Sequence, residues 1–71
     1  MTELGLYLTK KSVNKAEVSR KTGISTSRLS ELTLNSTTKL RAYELYLIAL
    51  AIDVDPCEVL KEVYGHLKIE Q

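Results

Sequence analysis

Residues 14–34, NKAEVSRKTGISTSRLSELTL, contain the signals that decide the fold of this chain. Asn14 can cap the start of a helix, and Glu17, three residues later, completes a capping box. Gly23 can end that helix, because glycine accepts the left-handed backbone conformation that many helix ends require. Ser25 can cap a second helix directly afterwards. The stretch therefore predicts two short helices joined by a short turn.

Start signals of the same kind recur in the rest of the chain. Asp55 can cap a last helix, with Pro56 in its first position and Glu58 completing the box. Asn35 is a suitable end for the third helix, because asparagine also tolerates positive φ. The predicted starts share the spacing of a hydrophobic staple, in the pairs Val13 with Val18, Ile24 with Leu29, Leu40 with Leu45, and Val54 with Val59. Clean alternation of apolar and polar residues is lacking, so helices are favoured over strands.

Amphipathic periodicity completes the predicted architecture. Residues 2–11 place Leu4, Tyr7 and Leu8 on one helical face, which adds a helix before the two central ones. Residues 45–52 are apolar nearly all round, which is typical of a helix buried by several neighbours at the centre of a domain. We therefore predict an all-α fold, a compact domain of five helices.

The composition excludes several classes of protein. The 71 residues leave room for one domain, and 44% hydrophobic with 27% charged residues is ordinary for a soluble globular one. Cys57 and His66 are the sole residues of their kinds, so we expect no disulfide framework, no metal site and no cofactor. The longest apolar run, residues 45–52, is far shorter than the about 18 residues of a membrane span. These features predict a soluble, cytoplasmic protein that does not bind membranes.

Side chains with catalytic chemistry are not placed to act together. Cys57 lies near a predicted helix start, yet neither a second cysteine nor a histidine is placed to use its thiol. Glu58 and Glu62 form an acidic pair one turn apart, for which a solvated helix face is a simpler interpretation than paired acid-base catalysts. We therefore predict that the protein is not an enzyme.

Charge is divided unevenly along the chain, although the net charge is only +1. Residues 1–41 carry eight basic side chains against three acidic ones, whereas residues 42–71 carry two basic against six acidic. A basic half suggests a face directed at a polyanion. From charge alone, an accidental asymmetry, which is common in small domains, explains the distribution equally well.

Two helices joined by a short turn that contains glycine define a helix-turn-helix motif. The first helix sets the angle of the second, so that the N-terminal side chains of the second can enter a DNA major groove. Residues 14–30 resemble this motif in the Cro/repressor-like, Xre-type family. Residues 45–60, with the pattern LxxIAxAIxVxPxxVL, resemble the fourth and fifth helices of the same family. The resemblance extends from Leu4 to Val63 and implies a five-helix, repressor-like domain with the motif in helices two and three.

The resemblance also implies which side chains face the bases. The recognition helix is the third, and the matching positions are Thr26, Ser27, Arg28 and Glu31. Arg28 has the chemistry to donate two hydrogen bonds to guanine, Thr26 and Ser27 can donate or accept, and Glu31 can accept from cytosine. A phosphate contact or a solvated side chain is the alternative for Arg28.

Contacts to the DNA backbone are expected from Lys15, Ser25, Lys39 and Arg41. Lys15 occupies the first position of helix two, where free amides and the helix dipole favour a phosphate. Arg41 stands where the family often has a serine cap, and arginine is a poor cap, so some compensation is expected. A phosphate partner for Arg41 and an unusual loop before the helix are equally open explanations.

One departure from the family is consistent on both sides of a contact. The family commonly pairs an arginine in helix one with a glutamate late in helix three. The matching positions here are Leu8 and Thr33, so both charges are missing together. We expect packing to replace the ion pair and the fold to stay intact.

The C-terminal region carries more apolar residues than one short helix buries, and surplus apolar surface usually marks an interface. The family often dimerises through its fifth helix and tail, which implies an interface made by Val59, Val63, Tyr64, Leu67 and Ile69. The alternative is a tail that folds back onto its own core. We predict a DNA-binding domain over residues 1–65 and a tail over residues 66–71 that belongs to the dimer interface.

These expectations together describe a sequence-specific transcriptional regulator that binds double-stranded DNA as a homodimer. We expect it to act as a repressor that occupies a pseudo-palindromic operator through the major groove. The alternative is a protein-interaction module, an antitoxin or an accessory subunit, in which the helix-turn-helix serves only as a scaffold.

Overall fold

Five helices make up the regular structure of residues 1–69, the part of the chain that our computed structural model describes. They are α1 (Glu3–Lys10), α2 (Lys15–Thr22), α3 (Thr26–Leu34), α4 (Ala42–Ala51) and α5 (Pro56–Tyr64). Within these residues there is no strand. The predicted all-α fold with five helices is therefore confirmed.

Side chains at the predicted caps close the helix starts. Asn14, Ser25 and Asp55 each accept a hydrogen bond from a backbone amide in the first turn of the helix that follows, at 2.9, 3.1 and 3.0 Å. Gly23 ends α2 with φ of 80°, the left-handed conformation that glycine adopts without strain. These local signals are enough to place α2 and α3 and the turn between them.

Two features of the helix ends differ from the prediction. Glu17 and Glu58 bond elsewhere than to their own caps: Glu17 pairs with Arg20 in its own helix, and Glu58 accepts from the Tyr7 hydroxyl at 2.9 Å. Asn35 ends α3 as expected, but its φ of −106° is extended rather than left-handed. Neither glutamate therefore completes the predicted capping box. The end of α3 forms without a residue in the left-handed conformation.

The core contains apolar side chains from every helix: Leu4, Tyr7, Leu8, Val18, Leu29, Leu32, Leu45, Ile48, Ala49, Val59 and Val63. Helix α4 contributes the fully buried Ile48 and Ala49 and packs against α2 and α5, so it is not more central than the other helices. The prediction that α4 is enclosed all round is wrong for one side. Tyr43, Tyr46 and Leu50 lie on a face of α4 that is about half exposed.

Thr2 joins the start of α1 to the end of α3. Its amide donates to the Thr33 carbonyl at 2.9 Å, and its hydroxyl donates to the Leu32 carbonyl at 2.8 Å. The same hydroxyl accepts from the Gly5 amide at 3.0 Å and so also caps α1. Gly5 packs so closely here that a Cβ atom would collide with the Thr33 carbonyl oxygen. The C-terminal end of α3 is therefore held by α1.

The two positions at which we expected packing in place of an ion pair are both buried. Leu8 belongs to the core, and Thr33 is 1% exposed. The Thr33 hydroxyl donates to the Leu29 carbonyl in the preceding turn at 3.0 Å, so its polar group is satisfied within α3. Packing replaces the ion pair without leaving a buried polar atom unbonded at this position.

The C-terminal residues are divided between the core and the surface. Val59 and Val63 are buried in the core of the single chain, so the expectation that they lie at a dimer interface is corrected. Tyr64, Leu67 and Ile69 are exposed, Ile69 by 88%. Of the predicted tail, Glu70 and Gln71 lie outside the described residues. The apolar surface left over is therefore smaller than the sequence suggested, and it also includes Leu60 within α5, which is 48% exposed.

Candidate nucleic-acid interface

The first turn of α3 presents small polar side chains to solvent. Ser25, Thr26 and Ser27 are all exposed, and Glu31 is exposed one turn further along the helix. The first turn, Thr26 to Arg28, includes no acidic residue, so nothing in it offsets the positive end of the helix dipole. This end of α3 can therefore offer both hydroxyl groups and backbone amides to an anionic ligand.

Arg28 is occupied by a carboxylate from another helix. Its Nε and Nη2 atoms donate to Glu44 at 2.8 and 2.9 Å, a two-pronged ion pair between α3 and α4. The side chain of Glu44 is 2% exposed and that of Arg28 is 26% exposed. In this structure the guanidinium of Arg28 therefore lies against Glu44, and the base contact, which stays a prediction, would require it to leave that carboxylate.

The pairing shifts the titration of both side chains. The Arg28 guanidinium, by hydrogen bonding, holds the pKa of the Glu44 carboxyl below its usual range, although burial acts in the opposite direction. The Arg41 amide contributes to the same lowering. The Glu44 carboxylate in turn raises the pKa of Arg28. Both groups are therefore charged at neutral pH, and each largely neutralises the other.

The same pair holds the backbone between α3 and α4. Arg28 Nη2 donates to the Lys39 carbonyl at 2.9 Å, and the Arg41 amide donates to Glu44 Oε1 at 2.9 Å. Glu44 is thus the compensation for the poor cap at Arg41, because its carboxylate takes up the cap residue's own amide. The Arg41 side chain has no acceptor atom and cannot close the other half of the box.

Glu44 is the residue of this region that the sequence interpretation missed. It occupies the third position of α4, where a glutamate commonly reaches back to the cap amide, so Arg41-x-x-Glu44 was a readable signal. Its pairing with Arg28 had no such signal, because the two residues are sixteen positions apart in different helices.

The cations expected to bind phosphate lie before and after α3 in the sequence, and they differ in exposure. Lys39 and Arg41 are exposed, and Arg41 Nη1 lies 3.4 Å from the Tyr43 hydroxyl. Lys15 is half-buried at the first position of α2. Lys39 and Arg41 thus have solvent-facing side chains on a backbone that is held to α3 and α4.

Two other kinds of site are not found in the described part of the chain. No helix within residues 1–69 has the length and apolar character needed to cross a membrane. The same residues contain no cluster of histidine, cysteine or carboxylate side chains suited to a metal ion.

Comparison with known proteins assigns the chain to a family. Neither the curated proteins nor the solved structures gave a match. The family model of the Cro/C1-type helix-turn-helix DNA-binding domain matches residues 3–63, which include every helix but the last residue of α5. This match favours DNA binding over the interaction module that the sequence left as an alternative. The chain therefore belongs to the Cro/C1-type helix-turn-helix DNA-binding family and is a DNA-binding regulator.

Proposed function

We propose that the protein is a dimeric repressor that reads a pseudo-palindromic operator with α3 in the major groove. The observation that carries the proposal is the exposed first turn of α3, whose hydroxyl groups stand at the positive end of the helix. Occupation of the operator excludes other proteins from the site, so repression needs no effector domain, cofactor or catalytic activity.

The proposed base contacts come from Thr26, Ser27 and Glu31. Hydroxyl groups can donate to or accept from base edges, and the threonine methyl can contact a thymine methyl. Glu31 can accept from cytosine N4, and it repels phosphate in a wrongly docked complex. Arg28, predicted as a base contact, would have to leave Glu44 to reach a guanine, so we assign it no direct contact.

The proposed phosphate contacts are Lys15, Ser25, Lys39 and Arg41. Lys15 lies at the start of α2, and Ser25 caps α3, so two helix N-termini face the DNA backbone with a polar side chain at each. Lys39 and Arg41 are exposed on the segment that follows α3. Contacts of this kind fix the docking position without reading sequence.

The proposed dimer interface is formed by a second copy of the chain against Tyr64, Leu67 and Ile69. These apolar side chains are 36%, 64% and 88% exposed at the end of α5 and beyond it. A two-fold interface uses the same patch on both copies and places the recognition helices about one DNA turn, roughly 34 Å, apart. A dimer would thereby read two inverted half-sites.

Selection of bound duplexes from a random DNA library at moderate salt tests the DNA-binding proposal. We expect a pseudo-palindrome with half-site centres about 10 base pairs apart. In the selected site, Thr26→Ala and Ser27→Ala should each relax the base preference at a contacted position. Lys15→Ala should instead weaken binding to all duplexes alike. It should also reduce the salt slope, the steepness with which log affinity falls with log salt concentration, by about 1. Lys61→Ala, which removes an exposed cation from α5, is the matched control. Failure to enrich any sequence at low salt would contradict sequence-specific binding.

Sedimentation equilibrium of Leu67→Asp and Ile69→Asp tests the dimer separately. Both side chains are exposed, so the substitutions should leave the fold of the single chain intact. We expect a dimer for the unaltered protein and a monomer for each variant. A monomer at every concentration for the unaltered protein would remove the dimer and leave the base contacts standing.

A further inference from the structure

The segment from Lys39 to Arg41 is tied to the recognition helix by a single ion pair. Arg28 in α3 binds the Lys39 carbonyl at 2.9 Å, and Glu44 in α4 binds the Arg41 amide at 2.9 Å. Arg28 and Glu44 hold each other through two hydrogen bonds of 2.8 and 2.9 Å. These bonds use the backbone of Lys39 and Arg41, so both cationic side chains stay exposed while their positions relative to α3 are fixed.

Stability alone does not account for a carboxylate in this place. A buried ion pair loses most of its attraction to desolvation, and apolar residues of similar volume often serve a fold as well. Glu44 is 2% exposed and lies behind a surface assigned to a polyanion, where an unpaired negative charge would repel phosphate. Its charge is matched by Arg28, and its position sets where the segment from Lys39 to Arg41 lies. Buried ionic groups are best attested in such a role of fixing register.

We propose that Arg28 and Glu44 are positioning residues that set the spacing between the first turn of α3 and the cations Lys39 and Arg41, so that both engage one DNA duplex together. The inference depends on the proposed phosphate contacts of those cations. A preorganised segment binds without a further loss of conformational entropy, whereas a loosened one must be ordered on binding.

Salt-dependent binding to the selected operator and to an unrelated duplex tests the proposal. Glu44→Gln removes the charge and keeps the shape. Arg28→Lys keeps the charge but cannot hold Glu44 and the Lys39 carbonyl through one planar fork. We expect each variant to bind both duplexes roughly tenfold more weakly, with a salt slope smaller by about 1–2. Glu17→Gln, an exposed glutamate paired within α2, is the control for the change in net charge.

Each result supports or overturns the proposal once circular dichroism shows a folded variant. Support requires the smaller salt slope in both variants. It also requires that Lys39→Ala, which weakens binding in the unaltered protein, weakens binding much less when it is added to Glu44→Gln or Arg28→Lys. A salt slope equal to that of the unaltered protein in Glu44→Gln or Arg28→Lys, whatever the affinity, overturns it, as does tighter binding through a released Arg28. If Lys39→Ala and Arg41→Ala have no effect in the unaltered protein, the phosphate contacts of the proposed function are themselves wrong.

Discussion

The junction of α3 with α4 and the junction of α1 with α5 are closed by the same residue type at the same helical position. Glu44 and Glu58 are each the third residue of the later helix. Glu44 is 2% exposed and binds Arg28 through both carboxylate oxygens, whereas Glu58 is 55% exposed and accepts one hydrogen bond from Tyr7. Because residue type and helical position are the same, we expect burial to decide how much each glutamate contributes to stability.

The two junctions also differ in which partner is buried. At the α1–α5 junction the buried group is Tyr7, 7% exposed, and burial together with Glu58 raises the pKa of Tyr7 to about 12. At the α3–α4 junction the buried group is the acid. One junction therefore depends on a carboxyl that must stay ionised, and the other on a phenol that must stay protonated. We therefore expect acid to weaken the α3–α4 junction and alkali to weaken the α1–α5 junction.

Glu44→Gln should have the largest effect on folding. Removing hydrogen bonds to a charged group costs about 1.5–3 kcal/mol, and we expect the free energy of unfolding in urea to fall by that amount at neutral pH. Because the folded pKa of Glu44 is lowered, its contribution is present above the usual glutamate pKa of about 4.3 and is lost as pH falls below it. The variant should therefore lose less stability on acidification than the unaltered protein. An equal loss would mean that the pair does not contribute.

Tyr7→Phe should have a smaller effect that appears at high pH. The lost hydrogen bond goes to a carboxylate that is 55% exposed, so screening by solvent lowers its contribution to about 1 kcal/mol near neutrality. Since the folded pKa of Tyr7 is raised, its contribution is present below about pH 10 and is lost as pH rises through about 12. In urea unfolding between pH 8 and 12, the free energy of unfolding should fall with rising pH in the unaltered protein, and it should fall less in Tyr7→Phe. Parallel curves would contradict this account.

Glu58→Gln should have less effect than either. The amide oxygen can still accept from Tyr7, and the remaining ion pair, Lys11 with Glu58 at 3.9 Å, is exposed. Exposed pairs contribute about 0.2–1 kcal/mol. We expect a fall in unfolding free energy of about 0.5 kcal/mol that disappears at high salt. A loss as large as that of Glu44→Gln would break the comparison between the two junctions.

Glu17→Gln should have the smallest effect and sets the lower limit of the series. Glu17 also stands third in its helix, but it pairs with Arg20 and Lys21 on the exposed surface of α2. A pair within one helix contributes about 0.3–0.5 kcal/mol, and both cations share one carboxylate oxygen, so their contributions do not add. The Tm of the variant should be nearly the same as that of the unaltered protein at both low and high salt. A clear separation would show that position in the helix matters more than burial.

The elements that were predicted well are those whose signals are local. Asn14, Ser25 and Asp55 cap helices through bonds that span two or three residues, and Gly23 adopts the left-handed conformation that the absence of a Cβ atom permits. A cap depends only on its own first turn, so the sequence is sufficient to locate it. The position of the helix-turn-helix followed from these signals.

The features that were predicted poorly depend on contacts between distant residues. Nothing near Arg28 in the sequence shows that Glu44 will reach it from α4. Val59 and Val63 looked like surplus apolar surface because their number is readable from sequence, whereas the neighbours that bury them are not. The base-contact and phosphate-contact residues remain predictions, since they depend on a ligand as well as on the fold.

Thr2 restricts which residues its position accepts. Its hydroxyl accepts from the Gly5 amide and donates to the Leu32 carbonyl, so one atom serves two helices. Aspartate, which is usually interchangeable with threonine as a helix cap, can accept but cannot donate when ionised. An exchange that has little effect at most helix starts would therefore place a negative charge against the last turn of α3. Among relatives that keep this contact, we expect serine or threonine here and an absence of aspartate.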